Sequence, residues 1–347
     1  MDRPPAGDEF AAYADVVRVA QDDGPSPVAA ISYDPQYRAL TDIFRGLTRM
    51  GEFSERGLDL SQDILDHNAA NYTVWQYRRD CLRRIHDPPY DLSLELFYLD
   101  TFADDNPKNY QLWHHRRALV NMIAERASSS GGGAEGPDVA RELAFTSRVF
   151  QEDPKNYHAW AHRQYILATF GGFDGELEFV QQQLDSDIRN NSAWNHRWFV
   201  FHRRHGSNGG IHWNFHTLEP DILVGEVEYS FAAIAKAPNN ESAWNYLRGL
   251  RYFHRAETAE LIDSTLAHMH ATMISEGAQA RLGTCAHFLA LLAEVLEEQA
   301  SRQALETATK LLLALREVDP VRVKAYESDL RRVARASQLL GDVVTAL

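Results

Sequence analysis

The chain has 347 residues, 44% of them hydrophobic, with seven Trp, fourteen Tyr and sixteen Phe, which excludes a wholly disordered protein and is enough for a large core. A formal charge of −14 opposes nucleic-acid backbones and anionic lipid and favours basic peptides. Two distant cysteines, Cys81 and Cys285, suggest no disulfide framework and a reducing, cytoplasmic home.

Residues 1–30 are rich in Pro, Asp and Gly and are expected to be extended. The opening Met1-Asp2-Arg3-Pro4-Pro5 has no apolar stretch of the signal-peptide kind. No run approaches the roughly 20 apolar residues that cross a bilayer, so no transmembrane segment is expected.

Internal repetition dominates residues 31–253. Trp75 is followed three residues on by Arg78, Trp113 by Arg116, Trp160 by Arg163 and Trp194 by Arg197. A fifth copy at Trp244 has Leu247 where Arg is expected. Each Trp follows an Asn-rich lead: Asn71-Tyr72, Asn109-Tyr110, Asn156-Tyr157, Asn190-Asn191 and Asn239-Asn240. The intervals between these tryptophans are 38, 47, 34 and 50 residues. The two long intervals contain Ser128 to Pro137 and Gly206 to Gly210, whose composition marks surface loops. Without them the period lies in the mid-thirties, the length of a helix–turn–helix unit.

Within one unit, Leu143, Val149 and Phe150 form an apolar face over Glu142 to Glu152, and Asp153-Pro154 ends that helix. A second helix starts near Asn156, whose side chain is a good N-cap, with Tyr157, Trp160, Gln164 and Leu167 at helical spacing. Neither helix buries its apolar face alone, whereas stacked hairpins bury both. The expected fold is therefore all-α, an α–α superhelix of antiparallel hairpins with Trp wedged between layers. Residues 254–347 lose the Trp signature but keep helices at Ala286 to Gln299, Gln303 to Leu315 and, after Asp319-Pro320, about Lys324 to Leu340. They are expected to be degenerate repeats capping the array.

Chemistry is sparse. Histidines are plentiful, including His114, His115, His202, His205, His212 and His216, yet Cys-x-x-Cys and His-Glu-x-x-His are both missing, so no metal site is expected in this chain. No Gly-x-Ser-x-Gly nucleophile elbow occurs. Gly171 to Gly175 lacks a Gly-Lys-Ser/Thr ending and reads as a helix–helix turn. The Trp-x-x-Arg pairs read first as packing, Arg holding a neighbouring carbonyl or carboxylate. The Lys-Asn-Tyr leads at Lys108-Asn109-Tyr110 and Lys155-Asn156-Tyr157 differ. Each puts an ammonium at a helix start, where backbone N–H groups also favour an anion such as phosphate.

The segments Pro107 to Arg117, Lys155 to Arg163, Asn190 to Arg197 and Asn240 to Tyr246, with Asn68 to Trp75, resemble the repeats of protein prenyltransferase α subunits. Gln21 to Val28 and Ile31 to Tyr33 resemble the lead-in of the branch serving farnesyltransferase and geranylgeranyltransferase type I. The resemblance implies a crescent of hairpins around a β subunit, in a heterodimer that moves farnesyl or geranylgeranyl from its diphosphate to the cysteine of a CaaX protein such as a small GTPase. Zn2+ belongs to the β subunit and Mg2+ to the assembled enzyme, with none bound by this chain alone. The resemblance assigns the diphosphate-stabilising lysine to Lys155 and a neighbouring aromatic to Tyr157. It places Asn156, His158 and Tyr110 among the substrate-binding residues, and Arg163, Asn190, Trp194 and Arg197 in support of the site and interface. The insert near 131 is expected to face away from the site.

Two other readings compete. One is the α subunit of the Rab-directed geranylgeranyltransferase, which the Asp22-Asp23-Gly24-Pro25 lead-in opposes. The other is a non-catalytic peptide-binding scaffold of the tetratricopeptide type, which predicts a stable monomer needing no β chain.

Overall fold

A computed structural model describes residues 10–29, 31–129, 135–204, 218–276 and 281–346. Among them the chain forms fifteen α-helices and no β-strand. They fall into two units, Met1–Gly172 and Phe173–Leu347. The first holds α1 (Pro35–Met50) and three hairpins: α2 (Glu55–His67) with α3 (Tyr72–Arg84), α4 (Leu92–Asp105) with α5 (Tyr110–Ser129), and α6 (Val139–Glu152) with α7 (Tyr157–Phe170). The second holds the hairpins α8 (Glu176–Ser186) with α9 (Asn191–Arg204) and α10 (Pro220–Lys236) with α11 (Glu241–Phe253). It continues through α12 (Arg255–Glu276), α13 (Ala286–Gln299), α14 (Arg302–Val318) and α15 (Val323–Ala346).

The helices begin where the sequence supplies caps. Asp34 accepts from the N–H groups of Gln36 and Tyr37 ahead of Pro35, and Ser54 accepts from that of Gly57. Gly51, at φ 67°, closes α1 in the left-handed conformation that glycine adopts without strain. Beyond the helices, Gly171 to Gly175 forms the turn read from the sequence, with φ of 83°, 89° and 79° at Gly171, Gly172 and Gly175.

The lead-in is extended only in part. Ala11–Tyr13 forms a 3-10 turn, and Tyr13 and Val16 are buried. A Cβ on Gly46 would lie 2.5 Å from Val16 Cγ1, so the missing side chain makes room for this strap. Arg56 fastens it, donating to Ala12 O and to the carboxylates of Asp15 and Glu52. Ser128 and Ser129, read as loop, belong to the last turn of α5. That helix is held from behind by Arg126, which donates to Tyr90 O and Leu82 O. The other loop, Gly206 to Gly210, lies outside the described residues.

Two recurring devices join the repeats. In the first, one turn carbonyl serves two donors. Trp75 Nε1 donates to Ala69 O at 2.9 Å, and Asn109 Nδ2 of the next hairpin donates to the same oxygen at 2.7 Å. Pro107 O receives Trp113 and Asn156, and Ile188 O receives Trp194 and Asn240. The Oδ1 of each Asn meanwhile caps its own helix, so one amide ends a helix and ties two hairpins. At Pro238 O the first donor is Trp244, and the second is the thiol of Cys285, the N-cap residue of α13, at 3.0 Å.

The second device is a buried carboxylate held from two sides. Glu95 on α4 takes a bidentate fork from Arg78 of the preceding hairpin, at 2.6 Å to each oxygen, and meets Nε2 of His115 at 2.8 Å. Glu142 on α6 stands likewise between Arg116 and His162, and Glu226 on α10 between Arg197 and Tyr246. Burial would push the Glu95 carboxyl up, but Arg78 and His115 hold it down to about 2. Burial also lowers His115 and His162, which stay neutral and donate through Nε2. The first hairpin has Gly57 where such a carboxylate would stand. There the Tyr77 hydroxyl fills the space and donates to Glu52 O. The five repeat tryptophans are all at most 6% exposed. Each buries on the order of 200 Å² of surface, worth roughly 5 kcal/mol before entropy is counted.

Candidate functional site

The two Lys-Asn-Tyr leads of the first unit occupy equivalent turns of successive hairpins. Asn156 is 2% exposed. Its Oδ1 accepts from the N–H groups of His158 at 3.0 Å and Ala159 at 3.1 Å, and its Nδ2 donates to Pro107 O. This locks the first turn of α7 and leaves the side chains before and after Asn156 outside. Lys155 is exposed, and Tyr157 and Tyr110 are 70% and 71% exposed. Solvent exposure of large aromatics in equivalent places on α5 and α7 is not a packing requirement of the repeat, whose core is filled by Trp.

His158 joins the two tyrosines. Its ring lies edge-on to Tyr110 with centroids 4.3 Å apart, 5.5 Å from Tyr157, and nearly parallel to Trp113 at 6.3 Å. Burial lowers its pKa, so the ring is neutral near pH 7 and offers one donor and one acceptor. The result is an aromatic shelf across α5 and α7, on two turns that also carry Lys108 and the exposed Lys155. Asp153 sits between the two leads. One oxygen accepts from the backbone N–H of Lys155 at 3.1 Å and the other pairs with Lys108 Nζ at 3.2 Å.

The helix starts do not themselves form the anion seat expected from the sequence. The N–H groups of His158 and Ala159 are already satisfied by Asn156, and those of Gln111 and Leu112 by Asn109. The caps thus occupy two N–H groups in the first turn of each helix.

The other four residues singled out in the sequence are buried: Arg163 at 3%, Asn190 at 1%, Trp194 at 2% and Arg197 at 8% exposure. Arg163 reaches Leu143 O and Thr146 Oγ1, Asn190 caps α9, Trp194 holds Ile188 O, and Arg197 clasps Glu226 over the Tyr229 ring. All four are taken up in holding the hairpins together. In the second unit, α9 and α11 leave a groove of about 210 Å³ lined by Asn191, Asn195, Trp198, Asn245, Gly249 and Phe253. A Cβ on Gly249 would come within 3.1 Å of the Trp198 ring, so glycine lets that indole lie against α11.

No group of three or more His, Cys, Asp or Glu residues suited to a metal occurs among the described residues. His202 and His254 meet at 3.0 Å between Nε2 atoms, but Nδ1 of His202 is engaged with Trp198 O, and burial drives His202 down to about 4. His205, His212 and His216 lie outside the described residues. Among the described residues, no helix is long and apolar enough to cross a membrane.

The sequence reading expected the repeat arginines to hold a carbonyl or carboxylate but did not say which glutamates they meet. A signal was available: Glu95, Glu142, Glu176 and Glu226 each stand 20 residues before the His or Tyr they bind.

Paired helices tied by Trp, Asn and Arg at fixed positions, with solvent-facing lysines and tyrosines at the turns, define a helical-hairpin repeat protein. The pattern of the protein prenyltransferase alpha subunit repeat matches residues 54–85, 92–123, 139–170, 173–204 and 223–252. The chain is 34% identical over 315 residues to the protein farnesyltransferase/geranylgeranyltransferase type-1 subunit alpha of Dictyostelium discoideum, covering 89% of this chain and 88% of that protein. It is 43% identical over 249 residues to the protein of the same name from Arabidopsis thaliana, covering 69% and 66%. A solved structure of Candida albicans protein geranylgeranyltransferase-I complexed with GGPP superposes with a TM-score of 0.75. That likeness, at 24% identity, spans 92% of this chain and 98% of the other. The chain belongs to the family of α subunits of protein farnesyltransferase and geranylgeranyltransferase type I.

Proposed function

We propose that this chain pairs with a β subunit in the cytoplasm, and that the heterodimer transfers a farnesyl or geranylgeranyl group from its diphosphate to the cysteine of a CaaX protein. The observation that carries the reading of the site is the shelf of Tyr110, His158 and Tyr157 beside the lysines of two successive turns. As the bond to the isoprenoid carbon breaks, negative charge grows on the departing diphosphate, and a positioned ammonium stabilises it. Lys155 takes that role on the family resemblance. Tyr157 stands beside the reacting groups, Asn156 fixes the turn, and His158 meets the carboxy end of the peptide. The thiol-activating Zn2+ belongs to the second polypeptide and Mg2+ accompanies the diphosphate. Among the described residues no cluster of His, Cys, Asp or Glu suited to a metal occurs.

A second assignment has an observation in its favour. Lys108 lies two residues before Tyr110, the ring nearest His158, and its ammonium reaches Asp153 beside Lys155. Its side chain is 75% exposed, so this ion pair is worth at most about 1 kcal/mol and yields readily to a diphosphate. Lys155→Ala and Lys108→Ala, each co-expressed with β, separate the two. The lysine that meets the diphosphate loses roughly two to three orders of magnitude in single-turnover transfer while the heterodimer survives. Near-normal turnover of both variants removes this edge from the mechanism. A wild-type chain that pairs with no β chain and prenylates no CaaX peptide removes the function.

A further inference from the structure

Most arginines buried in the repeats sit on a carboxylate: Arg78 on Glu95, Arg116 on Glu142, Arg197 on Glu226 and Arg251 on Asp263. Arg79 is seated differently. It is 5% exposed, and its Nε and Nη2 both donate to the neutral amide oxygen of Gln76, at 3.3 and 2.9 Å. Its Nη1 is buried and has no hydrogen-bonding partner. A guanidinium does not shed its proton in a protein, so a charge buried against a neutral acceptor is poorly compensated. The carboxylate of Asp80 is taken up elsewhere, by Gln76 Nε2 at 3.1 Å and Arg83 at 3.7 Å.

The surroundings are cationic on a chain whose net charge is −14. α3 packs against α5, and α5 against α7. On α5, His114 and Arg117 are exposed, and the Arg117 guanidinium lies 4.1 Å over the Tyr165 ring, whose hydroxyl bonds Asn121. The Trp75 ring, one turn before Arg79 on α3, lies 4.9 Å from the His115 ring on α5, which sets Arg79 beside the turn of α5 that carries His114 and Arg117. Burial, then the charges of Arg79 and Arg117, lowers the His114 pKa.

We propose that Arg79, His114 and Arg117 form an acceptor for a carboxylate side chain of the β subunit, which displaces Gln76 from the Arg79 fork. The proposal rests on the heterodimer reading above. Two parallel N–H groups now spent on one amide oxygen match the two oxygens of a carboxylate, a planar fit that a diphosphate does not need. Desolvated arginines of this kind are frequent anchors of protein interfaces. The Gln76 amide acts as a placeholder, keeping the buried charge partly satisfied until the partner arrives.

The test uses the co-expressed heterodimer, with its dissociation constant measured by sedimentation at low and high salt. Arg117→Glu changes an exposed side chain and leaves the fold intact, while Arg79→Gln removes the fork. Each is expected to weaken association at least roughly tenfold at low salt, and Arg117→Glu to flatten its salt dependence. Unchanged dissociation constants in both variants overturn the proposal. Should Arg79→Gln perturb the helical circular dichroism, Arg117→Glu alone decides. Unchanged association with a raised KM for the isoprenoid diphosphate assigns the patch to phosphate and overturns the carboxylate. A wild-type chain that never pairs with β overturns the heterodimer reading itself, and this proposal with it.

Discussion

Glu95 and Glu142 look alike in sequence but differ in what remains when each is removed. Glu95 is the carboxylate that Arg78 clasps, and the other hydrogen bonds of Arg78 go to the neutral Leu58 O and Ser61 Oγ. Arg116 holds Glu142 but also reaches Asp100 at 2.6 Å. Glu95→Gln therefore strands a buried guanidinium, which is expected to cost about 3–5 kcal/mol, a large share of a typical domain's stability. Glu142→Gln should cost less than half as much, and urea unfolding of the two variants checks the order. Acid attacks the same residues in two stages. His115 and His162 have folded pKa values below the ordinary 6.5, so the unfolded chain binds more protons and stability falls as pH drops below that value. Glu95 and Glu142, held at about 2 against 4.5, contribute stability that is present above 4.5 and lost as pH falls toward 2. Melting temperature should decline first between about pH 6.5 and 5 and again below about 4.5; a flat profile from 7 to 5 would contradict the neutral buried histidines. The sequence showed that Arg holds a carbonyl or carboxylate but not which one, because Glu95, Glu142 and Glu226 each lie on a helix of the next hairpin, a contact that helical periodicity does not encode.

At the scale of helices the sequence was more informative. Ala286–Gln299 runs as read, α7 begins one residue after the Asn156 cap, and Asp319-Pro320 separates α14 from α15. Local signals such as caps, proline and apolar spacing set these ends, so the chain displays them without knowledge of its neighbours. What stayed hidden was the double use of each Asn, since the second bond crosses to another hairpin. Asn240→Asp tests the two functions separately. The carboxylate still caps Ser242 N, but it repels Ile188 O where the amide donated. A loss of about 1–3 kcal/mol is expected, against a few tenths if capping were the whole role, with chemical denaturation as the readout.

Across the whole chain, the repeat count and the all-α class were legible because Trp, Asn and Arg recur in step. For the candidate site, the Lys-Asn-Tyr turns were legible as helix starts, but not that their caps already occupy the N–H groups of the first turn. The carbonyl ties have a practical corollary. They fix the short turn inside each hairpin, at Pro107 or Ile188, and make no demand on the chain joining one hairpin to the next. Both insertions read from the sequence fall at such joints, between α5 and α6 and between α9 and α10. A reporter or affinity tag spliced after Gly132 should therefore leave prenyl transfer within about twofold of normal, while the same tag after Pro154 should abolish it. Equal damage from both would mean the joints are not spare. If they differ as expected, the protein can be tethered, labelled or fused at one edge while its opposite edge keeps working.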